Sequence, residues 1–334
     1  KFTGKVEVYG QKGFELNGIN TEIDLPALIR WLPTEFREPI KTLETDARLS
    51  AVTNIRGKLP TADEKNGRIL ADGTVKMNST FMKDENLKAE ISKLSCTTTW
   101  KAECLFPEFA LKNVSLASTV AIDEADVLGL VQFSGSKNQV HLTTADLFEE
   151  SILIKFENEN AFVVANVPPI KTRTPKTETA ITLEAQNLEE FTKGNFELTA
   201  GKFTVTDSLS TTFSAGVTEW GKIFNLKLGV EDFDLSTADR YGISALHPDV
   251  SSLKLKGKAS ATIQISGSQP TEKQLADFAL PIDVDLTASI SNLGVQLSGL
   301  DVQFPEIAFS FSHDEQSEIR LGLKARQGKV AASN

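Results

Sequence analysis

The last third of the chain alternates apolar and polar residues almost without interruption. The stretch DVDLTASISNLGVQLSGLDVQFPEIAFSFS, residues 283–312, places an apolar side chain at nearly every second position, with Asp, Thr and Ser between them. Successive side chains of a β-strand point to opposite faces of a sheet, so a period of two predicts adjacent strands that share one apolar face. The stretch LKLKGKASATIQIS, residues 253–266, repeats the pattern with Lys, Ser and Thr on its polar side.

Together, these two stretches predict one apolar face with a polar face behind it. One-sided alternation is typical of antiparallel sheets that are wetted on one side, not of parallel sheets covered by helices. The residues assigned to the apolar face are Leu253, Leu255, Ile263, Ile265, Val284, Leu286, Ile290, Val295 and Leu297. Periodicity does not distinguish between two structures, because the same face can line an open groove or fill a closed β-sandwich.

Helical signals are few, so the chain is predicted to be all-β with one or two short helices. The best signal lies near residues 25–42, where Asp24 can cap a helix and Pro26 suits its first turn. Pro33 and Pro39 are expected to break this helix into short pieces.

The domain prediction places a β-rich first half at residues 1–166 and a second at 180–334, with strands continuing from one to the other. Between them, VPPIKTRTPKTET at residues 167–179 contains three prolines and no apolar period. This composition predicts a linker or an exposed loop.

The balance of charges and aromatic residues narrows the classes of partner. The formal net charge is −10, which argues against nucleic acid and against docking on an anionic bilayer through charge. The chain has 20 Phe but only 2 Tyr and 3 Trp. Phe has no polar group, so this choice favours purely apolar contacts, in a core or with an apolar ligand.

Two cysteines, Cys96 and Cys104, lie close together in SCTTTWKAEC. Their spacing suggests two strands of a β-hairpin, so the sequence predicts a disulfide and an oxidising compartment. Two buried thiols are the alternative.

No pattern for catalysis, for a metal or for a cofactor emerges, so the chain is predicted not to be an enzyme. The three histidines are scattered without a second ligand at zinc spacing, and no nucleophile elbow or phosphate-binding loop is present. Asp283 and Asp285 would share a strand face about 7 Å apart, which suits a hydrolase only if a cleft surrounds them. A secreted β-rich hydrolase therefore stays as a minor alternative.

Two segments resemble the AsmA-like bridge proteins of diderm bacteria, the group that includes TamB and YdbH. They are LTASISNLGVQLSGLDVQFPEIAFSFS at residues 286–312 and GRILADGTVKMNSTFMKDENLKAEISKLSC at residues 67–96. The likeness consists of successive hairpins, short turns and few histidines over most of the chain. The cysteine pair has no place in that pattern, and the chain begins with Lys1, so we expect a trimmed or processed chain whose membrane anchor is missing.

The resemblance implies an elongated, curled antiparallel sheet, a β-groove with an apolar inner face. It implies a non-enzymatic module that carries phospholipid, or another lipid with acyl chains, between the membranes of the cell envelope. It places the protein in the periplasm, held at the inner membrane by the missing anchor. The competing prediction is a structural or adhesive protein of the cell surface built from tandem β-sandwiches.

Overall fold

The structure is a computed structural model, and the chain divides into two compact units. One unit contains residues 1–163 and 184–189, and the other contains residues 164–183 and 190–334. The structure describes residues 2–8, 13–61, 65–86, 88–167, 170–206, 208–237, 254–269, 281–297, 300–313 and 319–332.

Long antiparallel strands make up the first unit. These strands are β1 (Phe2–Val8), β2 (Phe14–Asp24), β3 (Leu43–Thr45), β4 (Arg48–Lys58), β5 (Gly67–Asp84), β6 (Ala89–Phe106), β7 (Ala110–Val127), β8 (Val131–Asp146) and β9 (Ile152–Asn160). From β4 to β9 each strand pairs with the next in the chain, β2 pairs with β1 and β4, and β3 pairs with β5. This part of the chain is a meander of hairpins, as the alternation predicts.

The same architecture continues in the remaining strands, which belong mainly to the second unit. They are β10 (Phe162–Val167), β11 (Ile170–Thr174), β12 (Thr177–Ala185), β13 (Phe196–Val205), β14 (Leu209–Thr218), β15 (Ile223–Asp234), β16 (Lys254–Ser268), β17 (Ile282–Leu297), β18 (Leu300–His313), β19 (Ile319–Ala325) and β20 (Lys329–Ala332). From β13 to β18 the strands pair in chain order, and β19 and β20 both pair with β18. No described pairing joins β13 to β18, β19 or β20, so this ladder is open.

The predicted helical region is confirmed. It contains α1 (Leu25–Trp31), α2 (Thr34–Arg37) and a 3-10 turn at Glu38–Ile40. The Asp24 carboxylate accepts a hydrogen bond from the backbone N–H of Ala27 at 2.9 Å, which caps α1 as the sequence indicates. Two elements were not foreseen, namely α3 (Leu188–Thr192) and a 3-10 turn at Glu219–Gly221.

Strand structure also occupies the stretch 167–179, where the sequence suggested a linker or an exposed loop. It contains β11 and the beginning of β12, and the division into units lies near residue 163. Threonine fits an extended backbone well, and strands of this stretch form without an apolar period. Pro175 therefore lies between two short strands, β11 and β12, and does not abolish them.

Burial decides between an open sheet and a pair of sandwiches. Two packed sheets would bury a row of large side chains from each inner face. Among the described residues, the buried hydrophobic side chains are only Ala47, Leu94, Ile152, Ala185 and Val205, and no large side chain is fully buried. The predicted all-β, antiparallel, open-sheet fold is confirmed, and the sandwich alternative is not supported.

Candidate functional site

The predicted apolar face lies on two neighbouring strands of the second unit. Eight of its residues are placed in these strands: Leu255, Ile263 and Ile265 in β16, and Val284, Leu286, Ile290, Val295 and Leu297 in β17. Leu253 lies outside the described residues.

The strand register places these residues opposite each other in rows that run across the sheet. Ile263 lies opposite Leu286, and Ile265 lies opposite Val284. Residues directly opposite each other in antiparallel strands point to the same face, with Cβ atoms about 5 Å apart. Two further pairs complete the face, Leu255 with Val295 and Ala259 with Ile290, and the backbone of Leu297 pairs with that of Leu300 in β18.

The same face extends across neighbouring strands to residues outside the nine assigned to it from sequence. One row contains Phe213, Leu228, Ile263, Leu286, Phe311 and Leu321. The row beside it contains Thr211, Val230, Ala261, Ala288, Phe309 and Leu323. Alternation within residues 224–235 and 283–312 signals Leu228, Val230, Phe309 and Phe311, but periodicity does not tell which strands are neighbours.

These rows are open to solvent. The face residues of β16 and β17 from Leu255 to Val295 are only half-buried. Phe309 is 38% exposed, and Leu321 and Leu323 on β19 are 71% and 73% exposed. The small side chains of Ala261 and Ala288 help to line a shallow concavity of about 460 Å³. The second unit thus presents a wide apolar surface without a protein cover among the described residues.

A bulge keeps the apolar face continuous along β17. Between the pairs Lys256–Gly294 and Lys258–Ser291, β16 contains one residue, Gly257, whereas β17 contains two. The extra residue reverses the alternation, so Val295 returns to the face of Ile290. Gly257 has a φ of +119°, and a Cβ atom there would lie 2.7 Å from the Ser291 carbonyl oxygen. Only glycine fits opposite this bulge.

Polar and small residues cover the opposite face of the same strands. Thr262 lies opposite Thr287, and Ser260 lies opposite Ser289. Asp285 is exposed and lies between Gln264 and Ser312, and Asp283 on the same strand lies opposite Ser266.

The first unit has a comparable apolar face, but a polar ladder crosses it. Val120 lies opposite Asn138, and Asn138 lies opposite Asn158. The Asn158 amide donates to Asn138 Oδ1 at 2.7 Å and to Ser136 Oγ at 3.2 Å. Ser136 itself is buried. Because these amides bond to each other, they form a hydrogen-bonded strip within the apolar surface.

The predicted disulfide between Cys96 and Cys104 is wrong. Both cysteines are free and lie in the single strand β6, eight positions apart. At about 3.3 Å per residue their Cα atoms are about 26 Å apart, whereas a disulfide requires less than about 7 Å. Cys96 Sγ instead lies 3.5 Å from Ser118 Oγ, and Cys104 lies opposite Leu111.

Buried carboxylates of the first unit are held in their charged form by hydrogen bonds. The Arg68 guanidinium, and after it the Asn113 amide, lower the pKa of Glu103. The backbone N–H of Phe148, and after it Lys112, lower the pKa of Asp146. A general acid needs a raised pKa, so neither carboxylate suits that role.

The described residues contain no group of three or more His, Cys, Asp or Glu side chains arranged to bind a metal ion. None of the helices in the described part of the chain has the length and apolar character needed to cross a membrane. No protein family, no curated protein and no solved structure matches the chain.

Proposed function

We propose that the second unit binds the acyl chains of phospholipid on its apolar face and acts as a non-enzymatic lipid-binding and lipid-transfer module. The observation that carries this proposal is the exposure of adjacent rows of Leu, Ile, Val and Phe across β14 to β19. Soluble proteins rarely leave a contiguous apolar surface of this width without a partner.

Acyl chains fit this surface because they need only a dry, continuous contact. Each CH₂ group that leaves water contributes about 0.8 kcal/mol, and no directional bond is required. A headgroup can stay in water at the border of the sheet, since nothing in the described part of the unit covers the face. Phe in place of Tyr and Trp suits a ligand without hydrogen-bonding groups.

The second unit is a better candidate than the first. In the first unit an acyl chain crossing the apolar face would meet the ladder of Asn138 and Asn158. The rows around Ile263 contain no such pair of amides. An apolar ligand gains less where it covers polar groups that lose contact with water.

The cellular setting belongs to the proposal and rests on the resemblance to AsmA-like bridge proteins. It is transfer of phospholipid across the periplasm by a protein anchored at the inner membrane. The cysteines no longer argue for an oxidising compartment, because they are not bonded to each other.

Lipid that remains bound through purification tests this function. We expect native mass spectrometry and solvent extraction of the gently purified chain to find phospholipid bound without detergent. Absence of lipid, both after purification and after incubation with phospholipid vesicles, would reject the proposal and leave the face to a protein partner.

A further inference from the structure

Three lysines, two on β16 and one on β20, lie on the polar face of the sheet formed by β16, β17, β18 and β20. Register places Lys256, Gly294, Gln303 and Lys329 in one row across four strands. The neighbouring row contains Lys254, Gln296 and Asp301. These residues line a cavity of about 350 Å³, which we call the lysine cradle.

Gly294 forms the floor of the lysine cradle. It has no side chain, and a Cβ atom there would first meet Lys256 Cβ at 3.4 Å. The row therefore has a gap between Lys256 on one side and Gln303 and Lys329 on the other. Lysine side chains are long and flexible, so ammonium groups from both sides can approach one small ligand in this gap.

Among the described residues, none of the three ammonium groups has an ion-pair partner, although the protein is acidic. Lys258, two positions further along β16, pairs with Asp232 of β15 at 3.7 Å. Because β15 ends at Asp234, opposite Lys258, its described residues do not reach Lys254 or Lys256. The lining thus contains three ammonium groups and one carboxylate, that of Asp301.

Neutral amide side chains also line the lysine cradle, and they favour a phosphate ligand. Gln296, Gln303 and Gln327 line the lysine cradle beside the lysines. Phosphate oxygens accept hydrogen bonds from ammonium and amide N–H groups, and ammonium groups bind them as compact point charges. A divalent cation is disfavoured by the excess of positive charge.

We propose that the lysine cradle binds a phosphate group, either the headgroup of an anionic lipid or a free phosphate compound. Lys256 and Lys329 alternate with Leu255 and Val330, so these lysines lie on the opposite face from the rows around Ile263, while Leu293 and Phe304 also line the cavity.

The test measures binding to two probes, with variants matched in charge. Inorganic phosphate is titrated by calorimetry, and vesicles of phosphatidylcholine with and without phosphatidic acid are used in flotation. The cradle variant combines Lys254→Gln, Lys256→Gln and Lys329→Gln. The control combines Lys155→Gln, Lys202→Gln and Lys227→Gln, which are exposed lysines of other strands.

We expect the cradle variant to lose at least about tenfold in affinity, since one basic residue near a phosphate surface contributes about fivefold. The control should bind like the wild-type protein. A second variant, Gly294→Asp, places a carboxylate on the floor and should abolish binding while all lysines remain. Response to inorganic phosphate identifies a free phosphate compound as a sufficient ligand, whereas response only to phosphatidic acid identifies a lipid headgroup.

Equal loss in the cradle and control variants, or no binding of either probe by the wild-type protein, would overturn the proposal. Ile263→Asp separates this site from the acyl surface. This variant should bind inorganic phosphate or phosphatidic acid like the wild-type protein, even if it loses lipid transfer.

Discussion

At the scale of residues, the segment between Cys96 and Cys104 shows why the disulfide prediction failed. Cys96 and Cys104 are both at even positions of an alternation that continues through TTTWKAE, a segment without Gly, Pro, Asn or Asp. Those turn residues are absent, so nothing reverses the chain, and the strand continues from Ala89 to Phe106. The spacing alone suggested a hairpin, whereas the missing turn signal points to a single strand.

The free state of Cys96 and Cys104 is directly measurable. We expect thiol titration under denaturing, non-reducing conditions to find two thiols per chain, because a bond within one strand is geometrically impossible. A count of zero thiols with a monomeric mass would contradict the placement of both cysteines in β6.

Asp46 links the stability of the first unit to pH. Its carboxylate accepts hydrogen bonds from the side chains of Ser79 and Thr80 and from the backbone N–H groups of Phe81 and Thr80. These bonds hold the pKa of Asp46 well below its ordinary value of about 3.9. The stabilisation is present above about pH 4 and is lost as the pH falls toward the folded pKa, because the unfolded state takes up the proton first.

For Asp46→Asn we therefore expect a lower melting temperature at neutral pH and a shallower decline of that temperature below about pH 4. Melting curves across this range, with the exposed Glu22→Gln as control, provide the measurement. Parallel declines in wild type and Asp46→Asn would show that Asp46 does not contribute to acid sensitivity.

At the scale of strands, the breaks in alternation carry information. In β17 the apolar residues have even numbers up to Ile290 and odd numbers from Val295. In the next strand, β18, they have even numbers up to Phe304 and odd numbers from Ile307. The structure aligns both breaks, because Asn292 of β17 lies beside Pro305 of β18. A change of parity that looks like an imperfect pattern is thus a bulge shared by neighbouring strands, and it keeps one face apolar.

Asn292 has a φ of +52°, which is the left-handed region. A β-branched residue is strained there, so we expect Asn292→Val to lower the free energy of unfolding by about 1–2 kcal/mol relative to Asn292→Gly. Urea unfolding of both variants measures the difference. Equal stability would mean that the bulge does not require this backbone conformation.

Elements with a local signal were predictable, and those that depend on neighbours were not. The capped helix after Asp24 and the strands of residues 253–312 follow from their own patterns. The strands within 167–179 were hidden by prolines, since composition reports breaks more clearly than short strands between them. The lysine cradle joins Lys254 to Lys329 through register across four strands, which no local pattern contains.

At the scale of the molecule, the two units share one architecture but differ in the composition of their apolar faces. Each is a meander of antiparallel strands with an apolar face and a polar face. A hydrogen-bonded amide ladder interrupts the apolar face of the first unit, whereas large aliphatic and Phe side chains continue across that of the second. We therefore propose acyl binding for the second unit and not for the first.

The central claim is that this apolar face is an open surface that holds acyl chains, and Ile263→Asp tests it most directly. In a closed core an unpaired carboxylate costs several kcal/mol, enough to unfold a typical domain. On the open, half-buried face at Ile263 the carboxylate can reach water, so the variant should stay folded and lose bound lipid. Thr262→Asp, on the polar face of the same strand, is the matched control.

The measurement combines the melting temperature with the amount of phospholipid that each protein extracts from vesicles. The account predicts near wild-type melting for Ile263→Asp and Thr262→Asp, and loss of extracted phospholipid in Ile263→Asp alone. Unfolding of Ile263→Asp, together with a wild-type protein that extracts no phospholipid, would contradict the account and identify the face as a closed core.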